Sequence, residues 1–142
     1  GIGLYGSNED ENLTQISSLK SVITQIRKVR KGDFIGYNNT FKAERDMKIA
    51  IVPVGYADGL NRRFSNAVGS VFIKKSECKI IGKISMDSFA IDISNIPTKL
   101  GDEVEIFGEN LHVTTIAKKI NTIPYEIYST LNRRLKRLYS DS

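Results

Sequence analysis

The chain has 142 residues, enough for one ordinary domain with a real core, and its 40% hydrophobic and 26% charged residues exclude the depleted, highly charged profile of a disordered protein. A net charge of +5 and a pI near 9.3 permit nucleic-acid or acidic-surface partners without demanding them, because the clusters Lys28, Arg30, Lys31 and Arg133, Arg134, Lys136, Arg137 read as solvated faces. One cysteine, Cys78, and one histidine, His112, exclude an internal disulfide and a four-ligand zinc set, and no apolar run approaches the ~20 residues of a membrane helix.

In chain order, Gly1-Ile2-Gly3-Leu4-Tyr5-Gly6 reads as the end of a strand entering a glycine turn, so a segment is expected upstream. Residues 7–12 are polar and acidic, as in a surface linker. Residues 1–16 are therefore taken as the end of a preceding domain plus linker, and 17–142 as one folded domain. Residues 17–29 alternate imperfectly between apolar and polar, which predicts one long strand. A turn at Lys31-Gly32-Asp33 leads to a short strand over 34–37. The β-branched run 48–54 predicts a strand buried on both faces that ends in Gly55-Tyr56-Ala57-Asp58-Gly59. Further strands are predicted over 70–74, 78–84, 88–93 and 103–107.

Thr114 or Thr115 can cap a short helix reaching Lys119, Pro124 suits the first turn of a second helix ending near Asn132, and residues 134–139 suit a closing edge strand. The fold class expected is mainly β, an antiparallel barrel or sandwich with one or two short helices near the C-terminus.

Two segments carry candidate chemistry. In the first, Tyr56 sits in a loop with glycine on either side. A phenol acts as acid or base where a nearby positive charge stabilises its ionised form, and Arg62 and Arg63 follow closely in sequence; from residues alone, a half-buried packing role is the more ordinary alternative. In the second, Gly82-Lys83-Ile84-Ser85-Met86-Asp87, main-chain N–H groups at a strand end can receive an anion such as a substrate carboxylate. The ordinary alternative places Met86 in the core. Cys78 has no histidine close by in sequence, and an unpaired thiol without a visible signal peptide suits the cytoplasm.

The opening glycine motif, Ile35-Gly36-Tyr37 before Ala43-Glu44, the loop Gly55-Tyr56-Ala57-Asp58-Gly59 and the segment Gly82-Lys83-Ile84-Ser85-Met86-Asp87 occur in the order and rough spacing found in alanine racemases. Over essentially its whole length the chain resembles the C-terminal domain of that family. The resemblance implies an isomerase that makes D-alanine, a peptidoglycan precursor, with an N-terminal α/β barrel holding pyridoxal phosphate on a lysine and a β domain that follows it. It implies that Tyr56 is the base acting on L-alanine, that Met86 offers its main-chain N–H to the substrate carboxylate, and that the backbone of Gly1 and Ile2 meets the cofactor phosphate. It also implies a head-to-tail homodimer, in which Tyr56 completes the partner's site, and no membrane or nucleic-acid partner. Without the lysine of the barrel, this chain alone is expected to be inactive.

Two positions depart from the family pattern: Arg133 stands where a phosphate-contacting tyrosine occurs, and Lys83 where an arginine is often found near the entrance. The alternatives are a related racemase acting on serine or a basic amino acid, and a basic β-barrel that binds nucleic acid or protein. The basic residues are not interleaved with the aromatic platforms that single-strand binders use.

Overall fold

In the computed structural model, residues 3–6, 16–35, 41–132 and 137–139 are described. The β-branched run before the tyrosine loop forms a strand over Met47–Val52, the sixth in chain order (β6). Its side chains alternate between two apolar clusters, with Ala50 and Val52 in the main core and Ile49 in a second cluster with Met47, Ile81 and Ala90. The predicted burial on both faces is thus present.

The preceding strands are β1 (Gly3–Gly6), β2 (Ile16–Val22), β3 (Gln25–Val29), β4 (Phe34–Ile35) and β5 (Phe41–Lys42). After β6 come β7 (Ser70–Ile73), β8 (Ser76–Ile81), β9 (Phe89–Asp92), β10 (Glu103–Phe107), helices α1 (Val113–Lys119) and α2 (Pro124–Asn132), and β11 (Arg137–Tyr139). Among the described residues the main sheet has nine strands in the order β11-β1-β2-β10-β7-β8-β9-β6-β3, and β4 pairs with β5 separately. Among the described residues all pairings are antiparallel except that of β1 with β11. The domain is mainly β, as expected.

The predicted long strand over 17–29 is two strands with different neighbours. β2 pairs with β10 and β3 with β6, and the switch falls between two residues. Ile23 N–H donates to Asp102 O at 3.0 Å, whereas Thr24 N–H donates to Ile51 O, also at 3.0 Å. Since β2 lies inside the sheet and β3 at its far end, this continuous stretch curls the sheet into a barrel-like wall. The core within includes Val52, Val54, Ile91, Ile93, Val104 and Phe107, each at most 1% exposed. Burying a side chain of this size contributes about 1.5–3 kcal/mol relative to leaving it in water.

Other expectations shift at their edges. The strand predicted over 78–84 ends at Ile81, because Gly82 takes a φ of +66° and turns the chain. The residue before α1 is His112, not a threonine, and it makes no side-chain capping bond. Pro124 does open α2. β11 is an edge strand as expected, while residues 36, 37 and 133–136 lie outside the described part.

A candidate functional site at the sheet rim

Beyond β6 the chain reaches Gly55, whose backbone is pressed against a second loop. A Cβ there would stand 2.3 Å from Ser85 O and 2.4 Å from both Asp87 N and the carbonyl carbon of Met86, so no side chain fits. Residues Tyr56–Asp58 then form a 3-10 turn. The Asp58 carboxylate closes the turn by accepting from Gly55 N–H at 3.0 Å, and Asp58 N–H returns a bond to Gly55 O at 3.0 Å. Gly59 ends it at φ +102°, a left-handed conformation that favours glycine.

The partner loop joins β8 to β9. Buried Ile84 anchors it, and its N–H donates to Ser65 Oγ at 2.9 Å. Ser85 and Ser88 tie the loop across its neck, with Ser85 N–H donating to Ser88 O at 2.9 Å and Ser88 N–H to Ser85 Oγ at 3.1 Å. Two main-chain bonds stitch the loops together: Tyr56 N–H to Ser85 O at 3.0 Å and Ala57 N–H to Met86 O at 2.9 Å.

The structure therefore brings together the two candidates that the sequence separates by thirty positions. Tyr56 is 41% exposed and Met86 54%, which overturns a core role for Met86 and leaves both side chains at the rim. Among the described residues neither the Tyr56 hydroxyl nor the Met86 N–H has a hydrogen-bond partner. The Arg62 guanidinium lies over the Tyr56 ring, 4.9 Å from its centroid. The main-chain N–H of Arg63 donates to Asn61 Oδ1 at 2.8 Å.

Sequence reading named both arginines without separating them, and only Arg62 is placed over the Tyr56 ring. It missed Ser65 and Ser85 as loop ties: Ser85 stands within the segment 82–87 that the sequence singles out, whereas Ser65 has no local signal. Gly1, Ile2 and Arg133 lie outside the described residues. Cys78 is buried away from solvent, and burial pushes its thiol up to about 11, unlike an activated nucleophile. Among the described residues there is no cluster of three or more metal-binding side chains, and no helix is long and apolar enough to cross a membrane.

Residues 16–139 match the family model for the C-terminal domain of alanine racemase. This chain belongs to that family. The alanine racemase of Rickettsia bellii (strain RML369-C) is 44% identical over 143 residues, covering 99% of this chain and 35% of that protein. The crystal structure of alanine racemase from Bartonella henselae with covalently bound pyridoxal phosphate superposes with a TM-score of 0.80 at 34% identity, over 87% of this chain and 34% of that one. The alanine racemase of Clostridium difficile 630 in complex with cycloserine gives a TM-score of 0.79 at 38% identity, over 86% and 32%. The chain thus spans about a third of the length of such relatives.

Proposed function

We propose that this chain is the C-terminal part, with residues 17–142 as its folded domain, of a pyridoxal-phosphate-dependent alanine racemase in which Tyr56 is the base for L-alanine. The observation that carries this reading is a half-exposed phenol on a loop pinned by two main-chain bonds to the loop of Met86. Alanine as substrate is supported by the racemases that the chain resembles.

Racemisation removes a proton from one face of the α-carbon and returns one to the other, so a single side chain cannot do both. Tyr56 serves one face, and a lysine contributed by the N-terminal barrel serves the other. Pyridoxal phosphate, when bound, acidifies the α-hydrogen by drawing electrons toward its ring. The rim residues fit contact with a substrate rather than anchorage of that cofactor: they offer a phenol, a guanidinium and a main-chain amide, and the one lysine of the two loops, Lys83, stands where the family often has an arginine near the entrance. Of this chain, the backbone of Gly1 and Ile2 would meet the cofactor phosphate.

The Met86 N–H, lacking a described acceptor, is suited to a substrate carboxylate, a charge-assisted hydrogen bond. A group at an exposed rim faces outward, which supports a homodimer in which Tyr56 completes the partner's site. A lone reduced thiol at Cys78 fits a cytoplasmic enzyme.

The test is Tyr56→Phe in the full-length enzyme. General-base catalysis supplies about 10²–10⁴ in rate, so racemisation should fall by that order, and exchange of the L-alanine α-proton with deuterated water should fall with it. Normal interconversion by the phenylalanine variant would remove the proposed role. Assaying serine and lysine beside alanine addresses specificity.

A further inference from the structure

A half-exposed tyrosine ring with no described partner for its hydroxyl needs something else to fix its direction. Arg62 meets that need: its guanidinium lies 4.9 Å from the ring centroid, inside the ~6 Å within which a cation is attracted to an aromatic face. The backbone beneath Arg62 is held independently. Buried Leu60 and Phe64 flank it, Phe64 N–H donates to Asn61 O at 3.1 Å, and Ser65 N–H donates to Arg62 O at 3.0 Å. Among the described residues no carboxylate forms an ion pair with Arg62. Its ring contact therefore faces no rival anion there. Two consecutive 3-10 turns, each tied to the body, thus set a guanidinium against a phenol ring on one rim.

We propose that Arg62 is a positioning residue for Tyr56, holding the ring so that its oxygen faces the α-carbon of the bound amino acid. This rests on Tyr56 being the L-side base. It matters because a small misplacement of a reacting group slows the step it performs.

Alanine enantiomers have equal free energy, so kcat/KM must stay equal in the two directions whatever the variant. The asymmetry is read instead from α-deuterium isotope effects in the full-length enzyme. Arg62→Met should lower kcat/KM by about tenfold. It should raise the isotope effect on L-alanine, where Tyr56 removes the labelled hydrogen, and lower that on D-alanine, where Tyr56 only delivers a solvent proton. Arg62→Lys, which keeps charge but not the planar fork, should recover part of both changes.

Isotope effects are ratios, so they do not depend on how much of a variant folds; if Arg62→Met is insoluble, the same opposite displacements, smaller in size, are expected of Arg62→Lys. Unchanged isotope effects in both directions for either soluble variant would overturn the proposal. Normal racemisation by Tyr56→Phe would instead overturn the reading beneath it, so the two failures are distinguishable.

Discussion

Gly55 and Gly59 both flank Tyr56, yet for different physical reasons. Gly59 needs its left-handed backbone, whereas Gly55 is extended and is required because another main chain passes 2.3–2.4 Å from where its Cβ would be. Gly55→Ala must push the Met86 loop away, since the obstructing atoms are backbone and cannot rotate aside. The expected cost is about 1–3 kcal/mol, the range for overpacking, seen as a lowered melting temperature and, in the full-length enzyme of the proposed function, as a loss of racemisation larger than the stability change explains. A variant that melts and reacts like the parent would contradict the close approach. The glycines themselves were legible in the sequence, but the crowding at Gly55 was not, because it comes from a segment thirty residues away.

At the scale of elements, α1 is tied to the β7–β8 hairpin through Lys119. Its amine donates to Ser70 Oγ at 3.3 Å and pairs with Glu77 Oε2 at 3.4 Å. The Ser70 hydroxyl, which donates to Glu77, holds the Glu77 carboxyl below its ordinary value of 4.5, and Lys119 adds to this. A carboxyl with a lowered folded value stabilises the protein above pH 4.5, and that contribution is lost as pH falls through the lower value. Because Glu77 is half exposed, the amount is under about 1 kcal/mol. The melting temperature of Glu77→Gln should accordingly lie below that of the parent at pH 6, with the gap narrowing as the pH falls below 4.5. A gap that widens in acid would contradict the assignment.

Elements with strong local signals were readable: the run around β6, the strand at β10, and Pro124 at the start of α2. The break at residues 23–24 was not. Neither residue is a glycine or proline that would announce a break, and what changes there is the hydrogen-bonding neighbour, a property of the sheet rather than of the local sequence. Short β5 and the two 3-10 turns likewise lack a periodic signature.

For the whole molecule, mixing this chain alone with pyridoxal phosphate and L-alanine should produce no D-alanine by chiral chromatography, as no second base and no anchoring lysine have been placed in it; turnover by the isolated chain would sink the two-part reading. The candidate site was legible in its residue types but not in its assembly, since the approach of Tyr56 to Met86 is set by main-chain bonds that no side-chain pattern announces. Those bonds have a consequence for how such a chain can diverge. Because the two loops are clamped to each other directly, a change of length confined to the tip of the β7–β8 hairpin, at the cost of the Lys74–Asp102 ion pair, leaves the distance across the clamp unaltered. Length variation is therefore best tolerated at its tip, Lys74-Lys75, where both residues already adopt positive φ in the hairpin turn. A single inserted residue inside either clamped loop, by contrast, would unseat both at once.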